Sequence, residues 1–264
     1  MKRILWIVAM VMIVVSVNAQ NKSALNTIIE NGEIRVGMSG NQPPYSMTSL
    51  TGEMIGYEVD LAMLLAHGMG VELKLVQMPF GELLPSLEAG KIDVIMSGMT
   101  ITPERNMNAL FVGPYMVSGK TIMTKASNLE ALDEEAEINQ AAVTLVALQG
   151  STSEDFVKRV LPDAQLTLAK DYDEAVSLVI NGGVQAMVAD AEICMVSILR
   201  NPDKGLVALN QPLTIEPIGM ALPANDYLLE NMVRNYFSSL QMVGALDLLE
   251  IKWFENGSWL IQIK

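Results

Sequence analysis

The chain has one cysteine and one histidine in 264 residues. The lone Cys194 cannot close an internal disulfide. With a single His67 beside it in the inventory, there is no ligand set for a zinc site and no cysteine–histidine nucleophile. Basic residues are also scarce, 17 Lys and Arg against 30 Asp and Glu, a formal charge of −13. Backbone binding to nucleic acid needs surplus cations to displace counterions, so nucleic acid is excluded as a partner. No phosphate loop, metal motif or Ser-His-Asp set occurs, and no cofactor is expected. Long apolar runs are missing beyond the first twenty residues, so no later segment is expected to span a bilayer.

What is present is apolar material, half of the chain, enough for the core of one large or two modest domains and too much for disorder. Lys2 and Arg3, an apolar stretch from Ile4 to Val17 and the small residues of Val17-Asn18-Ala19 have the order of a secretory signal peptide. Residues 1–19 are therefore expected to be removed after Ala19 on export. The remainder has 15 basic and 30 acidic residues, a formal −15. The nineteen methionines suit an adaptable core or pocket lining, and Cys194 reads as a small buried hydrophobe.

Strand-like and helix-like segments alternate along the chain, which predicts an α/β fold. Strands are expected at Ile34–Met38, Val71–Met78 and Asp93–Met99. A helix should follow Gly56 and end at Gly68, where His67 faces the carbonyl end, and another carries Leu83, Leu84 and Leu87. The second half repeats the rhythm, with strands at 142–148, 164–169 and 185–190 and helices at 151–161, 172–180 and 191–199. Two extended segments, Thr121–Lys125 and Ile218–Leu222, bracket that half, as if it were inserted into the first.

Several segments, taken in order, resemble the polar-amino-acid-binding proteins of ABC importers, the bacterial extracellular solute-binding family 3. They are Gly56-Tyr57-Glu58-Val59-Asp60-Leu61-Ala62, Ser97-Gly98-Met99-Thr100-Ile101-Thr102-Pro103-Glu104-Arg105, Gln149-Gly150-Ser151-Thr152, Asp190 and Lys252-Trp253-Phe254. The resemblance implies two α/β lobes, each a mostly parallel sheet flanked by helices and joined by a two-strand hinge. Lobe 1 would be 31–122 plus 217–264, and lobe 2 the inserted 123–216. It also implies a periplasmic, monomeric receptor without enzyme activity, closing on a free amino acid and delivering it to a membrane permease.

A free amino acid needs an anion site beside a carboxylate. Arg105 has the planar fork for the first, just beyond a strand end, with Thr102 and Pro103 opening a short helix. Thr100 offers a hydroxyl and an N–H. Ser151 and Glu154 have the spacing of a capping box, and the free N–H groups of such a helix start favour a carboxylate. The resemblance gives Thr152 the ligand carboxylate, and Asp190, Ser97 and the Gly98 carbonyl the ammonium. An N-cap role alone would also account for Asp190. Phe80 falls where related binders stack on the ligand side chain, whereas Tyr45 reads as core. Ser39 and Gln42 stand where binders of basic amino acids carry an acid and an aromatic, which leans the ligand towards a neutral or polar side chain. Glu58 has a sufficient role at its helix start. The alternative is an enzyme on the same fold, resembling cyclohexadienyl dehydratases that act on prephenate or arogenate. Its general acid would be Glu192, although the family position falls on Ile193.

Overall fold

The computed structural model describes residues 23–131, 138–209 and 212–263. The expected leader and its cleavage point lie outside the described residues. In chain order the elements are α1 (Ala24–Asn31), β1 (Glu33–Met38), β2 (Asn41–Gln42), β3 (Ser46–Thr48), β4 (Met54–Ile55), α2 (Tyr57–Met69) and β5 (Glu72–Gln77). A helical turn at Phe80–Glu82 leads into α3 (Leu83–Glu88), β6 (Val94–Ile95), α4 (Pro103–Asn106) and β7 (Ala109–Ser118). Then come β8 (Lys120–Lys125), β9 (Thr144–Leu148), α5 (Thr152–Val160), β10 (Gln165–Ala169), α6 (Tyr172–Ile180), β11 (Ala186–Asp190), α7 (Ala191–Arg200) and β12 (Leu206–Ala208). The chain closes with β13 (Glu216–Pro223), α8 (Tyr227–Met242) and α9 (Ala245–Glu250), followed by short turns that carry Trp253 and Trp259.

Two five-stranded sheets organise the molecule, in the orders β5-β1-β6-β13-β7 and β10-β9-β11-β8-β12. In each, the first two pairings are parallel and the last two antiparallel, so the sheets are mixed. The antiparallel pairings arise from one reversed strand in each sheet: β13, which re-enters the first, runs against both β6 and β7, and β8, which enters the second, runs against both β11 and β12. The chain changes sheet at Gly119, between β7 and β8, and returns between β12 and β13. This is the two-lobed α/β architecture implied by the resemblance.

Each sheet is sealed by an apolar face. Ile34, Val36, Met38, Leu61, Leu65, Val94 and Val233 are fully or almost fully buried around the first, and Ile122, Leu145, Val157 and Val188 around the second. Each such side chain stabilises the fold by roughly 1.5–3 kcal/mol relative to exposure. A further apolar cluster runs from Phe80, Leu83 and Ile95 to Val146, Leu148 and Met187, so the two sheets share buried surface.

Three details differ from the sequence reading. The helix after Gly56 passes through Gly68 and stops at Gly70, which holds a left-handed φ of 67° and caps Ala66 and His67. Gly68 is a packing position instead, since a Cβ there would meet the Tyr236 ring at 2.5 Å. The ladder expected over Asp93–Met99 shrinks to Val94–Ile95. Asp93 is taken by the Arg35 backbone N–H and guanidinium, and the chain turns at Gly98 with φ 56°. The third is β7, which has no counterpart in the sequence reading. Gly113-Pro114 looks like a strand breaker, but it sits where the β13 register shifts between Ile218 and Met220, and bulges accommodate such residues.

Candidate functional site

The carboxyl ends of the central strands of both sheets meet across a cleft, where open α/β sheets place ligands. From the first sheet come the segment after β6 and the start of α4. Thr102 caps α4 by accepting the Arg105 N–H at 3.2 Å, with Pro103 at the first helical position. That turn aims the Arg105 side chain across the cleft. One guanidinium nitrogen donates to the Thr100 carbonyl at 2.8 Å and the other to the Gly150 carbonyl of the second sheet at 3.2 Å. The guanidinium lies 5.7 Å from the Phe80 ring centre. Burial lowers the Arg105 pKa, and the fields of Asp155, Glu216 and Asp190 oppose that shift.

From the second sheet, Ser151 caps α5, accepting the Glu154 N–H at 3.3 Å while its hydroxyl donates to the Leu148 carbonyl at 2.7 Å. Glu154 reaches back to the Gly150 N–H at 2.7 Å. The Ser151 and Glu154 side chains are thus both engaged within their own turn, and Thr152 is the residue left facing the cleft. Its hydroxyl is 3.3 Å from that of Thr100 and donates to Glu216 at 3.1 Å. Gly150 and Gly81 almost touch across the cleft, since a Cβ on Gly150 would come within 3.0 Å of the Gly81 Cα.

Asp190 is buried at the start of α7 but makes no side-chain capping bond. Its carboxylate instead holds Lys120, whose Nζ donates to Oδ1 at 2.5 Å. Lys120 is 1% exposed and also lies 3.7 Å from Glu216. Thr214 donates to the second Glu216 oxygen at 2.8 Å. The cluster of one cation and two carboxylates carries a net single negative charge. A single-sequence reading passed over Lys120 and Glu216. The available signal was a lysine at the head of the apolar run Thr121-Ile122-Met123, but only the β8–β11 register places it opposite Asp190.

Ser39, Gln42 and Ser97 form a buried uncharged cluster. Both serine hydroxyls donate to the Gln42 side-chain carbonyl, at 2.7 and 2.6 Å, and the Ser39 N–H donates to Ser97 at 3.0 Å. Burial pushes the hydroxyl of Tyr172, at the start of α6, well up, and Gln42 opposes that shift. Tyr45 is fully buried and packs edge-on against Phe254, while its hydroxyl donates to Glu192 at 3.4 Å. Ser118 donates to the same Glu192 oxygen, and burial pushes the Glu192 carboxyl up. Glu192 lines a crevice of about 480 Å³ with Pro44, Met116, Met195, Trp253 and Phe254. None of the ten expected ligand contacts lines that crevice. Cys194 is buried, and its thiol is pushed up by burial, as expected of a small core residue.

Comparison with known proteins gives this geometry a family. The chain is 28% identical over 240 residues to a cyclohexadienyl dehydratase of Pseudomonas aeruginosa, covering 91% of this chain and 89% of that one. It is 26% identical to the L-cystine-binding protein TcyJ of Escherichia coli, covering 89% and 87%. Among solved structures it matches an ancestral amino-acid-binding protein described as a precursor of cyclohexadienyl dehydratase (TM-score 0.81, 34% identity, 88% of this chain and 100% of that one). It also matches a mutant of ArgBP from T. maritima (TM-score 0.83, 30% identity, 88% and 100%). The family profile itself matches residues 34–256, so the chain belongs to the bacterial extracellular solute-binding proteins, family 3.

Proposed function

We propose that this chain is an exported receptor that closes its two lobes on a free α-amino acid with an uncharged side chain and presents it to an ABC-type permease. The observation that carries the reading is the separation of charge within the cleft. One end offers the Arg105 guanidinium, whose fork suits a carboxylate. The other offers the net negative cluster of Lys120, Asp190 and Glu216, which an ammonium would neutralise. Thr100 and Thr152 lie between the two ends, and their hydroxyls suit the ligand carboxylate beside Arg105. Ser97 and the Gly98 carbonyl would complete the ammonium side.

The side-chain subsite is formed by Phe80, Ser39 and Gln42, none of them charged. A cationic side chain would find no free carboxylate there, because Glu58 is spent on Gly98 and Tyr115. The changes of sheet at Gly119 and before Glu216 support lobes of 31–122 plus 217–264 and of 123–216, to within a few residues. In this reading the protein acts in the periplasm as a monomer.

A dehydratase reading draws on the similarity to the Pseudomonas aeruginosa enzyme and on the raised Glu192 carboxyl. The geometry supports it less. Glu192 opens onto the crevice lined by Trp253 and Met116, apart from the Arg105 anion site. The test is a thermal-shift screen of unfolded and refolded protein against the common amino acids, prephenate and arogenate. A ligand specific to the folded state adds about 2.7 kcal/mol at a hundredfold excess over Kd. Shifts with one or a few uncharged amino acids are expected. Shifts confined to prephenate or arogenate, with product formed, would overturn the receptor reading.

A further inference from the structure

Glu58 is the most deeply buried carboxylate beside the cleft. It sits in the first turn of α2 and is 0% exposed. Gly56 forces it inward: with φ 145°, and with a Cβ position only 2.2 Å from the Tyr45 carbonyl, that residue lets the helix start press against the 43–46 loop. The Glu58 N–H then donates to the same Tyr45 carbonyl at 2.9 Å. Its side chain does not cap the helix. Both carboxylate oxygens accept the Gly98 N–H, at 2.8 and 3.0 Å, and Oε1 also accepts the Tyr115 hydroxyl. Among the described residues no lysine or arginine pairs with Glu58. Its charge is therefore stabilised by one backbone amide and one phenol, each such charge-assisted bond contributing strongly because the site is dry.

The amide it grips belongs to the segment that lines the cleft. Ser97 joins the buried Ser39–Gln42 cluster, and Gly98 turns the chain with a left-handed φ of 56°. We propose that Glu58 is a positioning residue for the ligand cleft, its clamped carboxylate fixing the orientation of the Ser97–Gly98 segment against which the ligand ammonium is held. This rests on the amino-acid reading above for the identity of the ligand, though not for the clamp itself. Protonating Glu58 turns both of these charge-assisted bonds into weaker neutral ones, so its grip on the Gly98 amide slackens and the segment loosens.

Burial lifts this carboxyl to about 7, against the lowering effect of Tyr115 and the Gly98 amide. The other titratable groups facing it are Tyr57 from its own helix, Tyr115 from β7 and Tyr45 from the neighbouring loop. Burial pushes all three phenols up, so they stay neutral near pH 7. Glu192, the other raised carboxyl among the described residues, is bound by Ser118 and Tyr45 and makes no hydrogen bond to Gly98.

The test uses protein labelled with ¹⁵N-glycine, with the Gly98 amide resonance followed from pH 5.5 to 8.5 without ligand. A single step near pH 7 is expected in the wild type and none in Glu58→Gln. Should Glu58→Gln fail to fold, Tyr115→Phe serves in its place. It removes the phenol that lowers the Glu58 pKa, so its step should move to higher pH. A flat wild-type resonance, a step that survives in Glu58→Gln, or an unmoved midpoint in Tyr115→Phe overturns the clamp. A merely structural role for Glu58 would lower the melting temperature of Glu58→Gln and leave wild-type ligand affinity the same at pH 6 and pH 8. In parallel, L-glutamine, L-serine and L-methionine are titrated calorimetrically. Any that binds at pH 8 should bind roughly tenfold more weakly at pH 6 in the wild type, with that dependence lost in Glu58→Gln; a dependence that persists in the variant overturns the positioning role. If none of the three binds at either pH, the uncharged-amino-acid reading fails, and the Gly98 resonance alone decides the clamp.

Discussion

Lys120 and Asp190 stand directly opposite each other on antiparallel β8 and β11, with the lysine Nζ 2.5 Å from the aspartate Oδ1. The aspartate expected to wait for a ligand ammonium already holds one supplied by the protein. What remains for the ligand is the excess charge of a three-member cluster, since Glu216 lies 3.7 Å from the same lysine. A buried cation between two carboxylates balances desolvation against attraction only while all members are present.

Replacing Lys120 by Met should therefore leave two buried carboxylates without a counter-ion. The expected destabilisation is about 3–5 kcal/mol, the usual consequence of removing one partner of a buried pair. Urea unfolding at neutral pH measures it. The same variant should gain more stability than the wild type from a saturating amino acid, because the ligand ammonium becomes the cluster's only cation. Equal ligand-induced gains in the two proteins would separate the cluster from the ammonium site.

Arg105 predicts a loss of binding with little loss of fold. Arg105→Ala should cost about 2–5 kcal/mol of binding free energy, as truncating a buried, hydrogen-bonded charge contact does. Arg105→Lys keeps the charge but loses the fork that spans the Thr100 and Gly150 carbonyls, so it should also bind at least tenfold more weakly. Calorimetric titration with the amino acid found in the screen reads both. Wild-type affinity in either folded variant removes Arg105 from the site.

The elements that were legible in the sequence are those whose information is local. Thr102-Pro103 and Ser151 with Glu154 cap helices where their side chains predict, and α6 starts and stops at Tyr172 and Ile180 as its pattern dictates. The two-lobed plan was legible from the order of motifs. Pairing across the fold was not. Nothing near Lys120 announces that it faces Asp190, because strand register is set by tertiary packing. The same holds for Glu58, whose position at a helix start offered a complete local explanation while its partners Gly98 and Tyr115 lie forty or more residues away. Strand β7 was hidden because Gly113-Pro114 is locally a breaker and becomes acceptable only at a bulge against β13.

Closure can be tested at Gly150, which adopts φ 76° and would place a Cβ 3.0 Å from the Gly81 Cα of the opposing lobe. Both contacting groups are backbone, so neither can swing away. Gly150→Ala should hold the rims apart, lower ligand affinity and reduce the ligand-induced decrease in radius of gyration seen by small-angle X-ray scattering. Thermal unfolding without ligand should change modestly, by the ~1–2 kcal/mol of a left-handed non-glycine residue. An unaltered scattering change on ligand addition would show that closure does not bring these two glycines together.

Glu58 also makes a prediction about stability against pH. Burial lifts its folded-state carboxyl from about 4.5 to about 7, so between those values the folded chain binds a proton that the unfolded chain has released. Stability from this group is therefore fully present below about pH 4.5 and is lost as pH rises towards 7. The difference amounts to about 3 kcal/mol at the upper end. Other carboxylates titrate in the same range, so the comparison is between wild type and Glu58→Gln, which share them. Urea unfolding at pH 4.5, 6 and 7.5 should show the wild type losing stability relative to the variant across that interval, with no further relative change above it. Parallel curves would mean that the folded Glu58 titrates as an ordinary carboxyl. Its hold on the Gly98 amide would then be as strong at pH 5 as at pH 8.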